Sequence, residues 1–166
     1  MKKQVTVNVA QTQEEKFEFP LSIDVLENGK ISRKEFWVTA NAKNDFVFDV
    51  TKNPELINAN PEGLLLSDIK QDKTPEQLYL QYTTAKDLYS KYTAIEEAKD
   101  QVSKNPFADK LYAAALKDKF YRNRLLALEG LPEDPKSFLA DVEKLAQNDE
   151  RNLVKGAAIG VLAKTK

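Results

Sequence analysis

The 166-residue chain contains neither cysteine nor histidine. Without cysteine it has no disulfide, no thiol nucleophile and no thiolate metal site. Without histidine it lacks the commonest general base and the commonest zinc ligand. Triads that work through histidine and zinc sites of the H-E-x-x-H type are therefore excluded. Glycine is scarce, at 5 residues, while hydrophobic residues make up 42% and charged residues 31%, the balance of a folded globular chain. Neither sign of charge is in excess. Lys and Arg total 25 against 26 Asp and Glu, so no overall positive field exists to hold nucleic acid or an anionic membrane. Long hydrophobic runs are also missing. The least charged stretch, Gly156 to Ala163, is far below the roughly 20 residues of a spanning helix. The segment Met1 to Asn8 alternates apolar and polar residues, where a secretory signal needs a continuous apolar core of roughly 7–15. The expectation is a soluble chain in an undetermined compartment, with no nucleic-acid or membrane partner, no cofactor and no catalytic residues of its own.

What is present changes character near residue 73. Up to about Ile69 the pattern has period two: Val5, Val7, Val9; Phe17, Phe19, Leu21, Ile23, Val25; Phe46, Phe48, Val50. Successive strand side chains point to opposite faces, so each run has one apolar face. Asn28-Gly29 joins two runs and suits a tight hairpin turn. Phe36, Trp37 and Val38 are consecutive, which implies a bulge or a strand covered on both faces, with Trp37 in the core. Pro54 and Pro61 bracket a short strand, Leu56 to Asn60, and Leu64-Leu65-Leu66 reads as one more. From Thr74 the period is helical. Thr74-Pro75-Glu76-Gln77 carries a cap residue, Pro at the first helical position and Gln at the capping-box position. Leu88, Tyr92, Ile95 and Val102 form one stripe of a long helix. Asn105-Pro106, Gly130-Leu131-Pro132 and Asp134-Pro135 punctuate the rest. The predicted fold class is α+β with two domains: a small antiparallel β-sandwich over 1–72, then an α-helical HEAT- or armadillo-like solenoid of helix pairs over 73–166.

The solenoid reading rests on an internal repeat. Residues 118–131 align with 149–162 at an offset of 31: Asp118 faces Asp149, Arg124 faces Lys155, Ala127 faces Ala158 and Leu128 faces Ile159. Asp118 and Asp149 are expected to cap their helices, and Arg124 and Lys155 to pair with an Asp of the adjacent repeat.

The order of these pieces resembles the C-terminal half of M1-type zinc aminopeptidases. The resemblance is carried by Val5 to Gln13, Phe19-Pro20-Leu21-Ser22-Ile23, Phe36-Trp37-Val38-Thr39, Phe46 to Val50 and Asn58 to Leu66, followed by the helical part. It covers nearly the whole chain. It implies a non-catalytic part of such an enzyme, shaping and closing a peptide-binding chamber whose zinc, held by H-E-x-x-H and a downstream Glu, belongs to the rest of the parent. The partners so implied are the remaining domains of that peptidase and a peptide. The alternative is a freestanding helical module that grips a protein or peptide with no activity.

Other constellations are weaker. Asp68 with Asp72, or Asp45 with Asp49, offers oxygen pairs, but no spacing matches a calcium loop. Glu96 and Glu97, adjacent on a helix, face different ways. Lys117, Lys119, Arg122 and Arg124 form a basic cluster. If the resemblance holds, Lys119 and Arg122 are candidates to meet a peptide carboxylate. Tyr79, Tyr82, Tyr89 and Tyr92 are spaced for one helix face and expected to pack inward. Gly156 and Gly160 are spaced to let helices approach closely.

Overall fold

The computed structural model describes residues 3–165. The chain forms two compact units, Met1–Asp72 and Lys73–Lys166. Together they make an α+β protein of two small antiparallel sheets and six helices among the described residues, with no closed barrel.

In the first unit β1 (Lys3–Ala10) pairs with β4 (Lys43–Val50), and β2 (Phe19–Glu27) lies between β3 (Lys30–Val38) and β5 (Leu56–Ala59). The period-two runs explain the core. Leu21, Ile23, Val25 and Val38 are buried, and Val7, Val9, Phe36, Phe46 and Phe48 from both sheets pack against them. The rings of Phe36 and Phe46 stack at 4.6 Å. Asn28 and Gly29 both take positive φ, 51° and 70°, which closes the β2–β3 hairpin in the sense that matches strand twist. On the polar face Asp24 stands opposite Arg33 in the register, and Arg33 forks onto it at 2.8 and 3.1 Å.

Two strand expectations fail. The β2–β3 register runs without a bulge from Phe19↔Val38 to Glu27↔Lys30, so strict alternation holds through Phe36-Trp37-Val38. Phe36 and Val38 face the core and Trp37 is 57% exposed, not a core residue. Leu64-Leu65-Leu66 forms no strand. Asn60 exchanges two side-chain hydrogen bonds with the backbone of Leu65, at 3.1 Å each, and holds the segment as a loop in which Leu66 is 98% exposed.

The second unit contains α1 (Pro75–Thr84), α2 (Leu88–Ala98), α3 (Pro106–Ala115), α4 (Tyr121–Glu129), α5 (Leu139–Asn148) and α6 (Asn152–Lys164). Thr74 and Gln77 make the full reciprocal capping box, and Asn105 caps α3 at Phe107 N–H. Helix α1 packs on α2 and α3; α2 packs on α4; α4 packs on α6; and α5 packs on α6. The even-numbered helices thus follow one another side by side. Their shared core holds Ile95, Leu111, Tyr112, Leu116, Leu128, Val142 and Val154. The stripe through Leu88 and Tyr92 is not the buried one. Both are exposed, while Ser90, Ala94, Ile95 and Ala98 face inward. The helix also breaks at Ala98 into a 3-10 turn, Lys99–Gln101, so Val102 reaches the core from beyond its end.

Candidate functional site

In the helical unit, the buried polar residues Ser90, Asn123, Arg124 and Asp149 lie at or just ahead of the starts of the even-numbered helices. Lys91 is the fourth residue of α2, Arg124 the fourth of α4 and Lys155 the fourth of α6. Asp118 and Asp149 each stand three residues ahead of the first residue of α4 and α6. A cation one turn into a helix lies beside the segment that leads into the next helix of the row. Lys91 Nζ therefore meets Asp118 Oδ2 at 2.9 Å, and Arg124 meets Asp149 through Nε–Oδ2 at 2.7 Å and a second nitrogen on Oδ1 at 2.9 Å. The remaining guanidinium nitrogen donates to the carbonyls of Asp118 and Lys119, at 2.8 and 3.1 Å. One side chain thus ties its own lead-in to the next one. The Lys155 side chain makes no hydrogen bond or ion pair with any described residue; its charge reaches Asp149 of its own segment only through space.

The two aspartates do not cap their helices directly. Each accepts the N–H of the residue two positions on, Phe120 or Arg151, at 2.8 Å, and that residue is the cap position itself. This is an Asx-type turn ahead of the helix. Asp118 also accepts the Tyr82 hydroxyl of α1 at 2.5 Å. Burial raises its pKa, but the bonds from Tyr82, from the Phe120 N–H and from Lys91 outweigh that and hold it at about 2. Burial likewise opposes ionisation of Asp149, and the Arg124 fork and the Arg151 N–H more than compensate, so its pKa is also lowered. A depressed carboxyl stabilises the fold above its unfolded value and stops doing so as pH falls through the folded one. The thermal midpoint of the intact chain should therefore drop as pH falls from about 4 towards 2, by the ordinary carboxylate range. Asp118→Asn should lower the midpoint at pH 7 and flatten this acid limb. A limb of unchanged steepness would mean that Asp118 is not among the groups responsible.

The basic cluster does not form one surface. Arg124 is buried in the ion pair, and Lys117 binds Asp141 at 2.7 Å. Lys119 and Arg122 are exposed, and Arg122 lies over the Tyr121 ring at 5.9 Å with Arg151 at 5.2 Å. Of Tyr79, Tyr82, Tyr89 and Tyr92 only Tyr82 is buried, whereas Tyr89 and Tyr92 are exposed. Glu96 and Glu97 diverge, Glu96 to Lys99 at 3.9 Å and Glu97 to Lys73 at 3.6 Å. Asp45 accepts Asn8 and Asp49 accepts Gln4. Among the described residues no three His, Cys, Asp or Glu side chains stand close enough to hold a metal ion together. No described helix is long and apolar enough to cross a membrane. The Tyr82–Asp118–Lys91 triad was missed by the sequence reading, because only the recurrence of a cation at the fourth helical position points to Lys91.

No family model matches the chain, and no curated protein matches it. Among solved structures, its fold is similar to that of a Legionella pneumophila aminopeptidase A determined in complex with aspartic acid, with a TM-score of 0.59 at 14% identity. The likeness takes in 98% of this chain but 20% of that one, so the chain spans about a fifth of the enzyme's length.

Proposed function

We propose that the chain acts as a non-catalytic portion of an M1-like zinc aminopeptidase. In this reading the strand unit is a β-sandwich and the helical unit a HEAT-like solenoid, and together they shape and close the peptide chamber of a larger enzyme. The observation that carries the reading is the fold likeness to one fifth of an aminopeptidase over nearly all of this chain. The lack of histidine and cysteine supports it, since a piece with no zinc ligands of that kind has to leave the chemistry to other domains. Its partners are those domains, and the exposed Lys119, just ahead of α4, and Arg122, in the first turn of α4, are its candidate contacts to a peptide carboxylate.

Two measurements test this. The chain alone, with added zinc, should hydrolyse no aminoacyl-p-nitroanilide; turnover that follows the protein through successive columns would overturn the reading. The upstream genomic reading frame should carry H-E-x-x-H. A frame without it would make the chain an independent module.

A further inference from the structure

We infer that Asn28 is a site of spontaneous covalent modification, where the tip of the β2–β3 hairpin converts through a cyclic imide to aspartate and isoaspartate. This inference stands on the strand unit and is independent of the aminopeptidase reading. The step needs an asparagine side chain free to turn towards the next residue. It also needs a following backbone nitrogen that is not locked, and no side chain there to crowd the approach. Asn28 meets all three conditions. It and Gly29 are exposed, beyond the Glu27↔Lys30 pair that closes the ladder. The Asn28 amide makes no hydrogen bond with any described residue. The Gly29 N–H rests on Glu55 Oε2 at 3.4 Å, longer than the roughly 2.7–3.2 Å of an ordinary N–H···O bond. The space around Gly29 is open, for even an added Cβ would meet nothing within 4 Å. The other asparagines are worse placed. Only Asn28 is followed by glycine, and Asn53, Asn60 and Asn105 precede proline, which has no N–H to lose. Asn44 commits its amide to Thr39 and Asn41. The nitrogen after Asn148 donates to the Leu145 carbonyl at 3.1 Å.

The Gly29 nitrogen gives its proton to water or hydroxide and bonds to Asn28 Cγ; the Cγ–Nδ2 bond breaks and ammonia leaves. Water then opens the imide. Opening at Cγ restores the main chain with aspartate at 28. Opening at the main-chain carbonyl carbon sends the chain through Cγ as isoaspartate. Either product adds one negative charge to a chain of net charge -1, in a turn whose two N–H groups the Glu55 carboxylate holds. Isoaspartate also lengthens the main chain by one atom, so a two-residue turn at φ 51° and 70° no longer fits its closing pair.

The full chain, stored warm at mildly alkaline pH, tests this. Peptide mapping by mass, with isoaspartyl methyltransferase labelling, follows each asparagine. Conversion at Asn28 should outrun that at each other asparagine by about tenfold or more, one decade being roughly 1.4 kcal/mol of barrier. It should quicken as pH rises, because the Gly29 nitrogen must first lose its proton. More acidic species should appear and melt lower than the fresh chain. Asn28→Gly keeps a turn sequence, Gly-Gly, that accepts positive φ at both positions. It should stay a single species with an unchanged midpoint through the same storage. Asn28 that stays intact in the folded chain, while it converts in the same chain held unfolded in urea, overturns the inference. So does prior conversion of Asn44 or Asn148, or acidic species forming in Asn28→Gly at the parent's rate.

Discussion

Replacing Arg124 by methionine should destabilise the helical unit by about 3 kcal/mol, the range found when one member of a buried ion pair is removed. The reason is what would be left behind. The side chains of Arg124 and Asp149 are only 9% and 2% exposed. With the guanidinium gone, the Asp149 carboxylate keeps the Arg151 N–H but loses both charged bonds. The carbonyls of Asp118 and Lys119 lose their donor at the same time. A carboxylate shut away from water without its cation is costly whatever the pair contributes net. Arg124→Lys should recover only part of the loss, because an ammonium cannot fork onto Asp149 and still reach two carbonyls. Adding Asp149→Leu to Arg124→Met should cost much less than the sum of the singles, since the second change removes the orphan created by the first. Urea denaturation of the four proteins decides it. Strict additivity, or an Arg124→Met midpoint equal to the parent, would show that the two residues are independent and that the matched segments 118–131 and 149–162 repeat by coincidence.

That pair was legible in the sequence because both of its members sit in aligned copies. The reader needs only the offset of 31 to set Arg124 beside Asp149. The first rung was not legible. Lys91 belongs to a helix whose lead-in, Ala85-Lys86-Asp87, lacks the matching aspartate, so the copy that would have revealed it is degenerate. Local chemistry was also readable: the Asn28-Gly29 turn and the Thr74–Gln77 capping box are closed within four residues, and neither needs knowledge of distant parts. Burial was less so. Trp37, Leu88 and Tyr92 are apolar or aromatic at positions that periodicity offers to a core, yet all three are exposed. Periodicity names a face but not the side on which the neighbour lies. Around α2 that choice is made by where α1, α3 and α4 pack. The leucines 64–66 fail for the complementary reason. Their hydrophobicity asks for a strand, but Asn60, at a φ of 49°, binds the backbone of Leu65 and leaves no free edge to pair.

Gly130→Ala should also be strongly destabilising, at a position where ordinary rules predict a gain. The backbone of Gly130 has φ −89°, open to any residue, and alanine normally improves a helix end by restricting the unfolded chain. The obstacle is Tyr112. An added methyl group would overlap its hydroxyl and lie 3.1 Å from two carbons of its ring. Tyr112 cannot step aside. It is fully buried between α2 and α4, and its hydroxyl donates to the Ile95 carbonyl at 3.0 Å. Overpacking of a tight core costs about 1–3 kcal/mol. Displacing the hydroxyl would add about 1–3 kcal/mol for a buried polar group left unpaired. Tyr112→Phe separates the two contributions. Alone it should cost about 1 kcal/mol, the value of one neutral hydrogen bond. In its presence Gly130→Ala should cost far less than in the parent chain, because the atom nearest the new methyl is gone. If alanine is tolerated at 130 in the parent, or is equally harmful with phenylalanine at 112, the close approach of α4's end to the Tyr112 hydroxyl is not what keeps this position glycine.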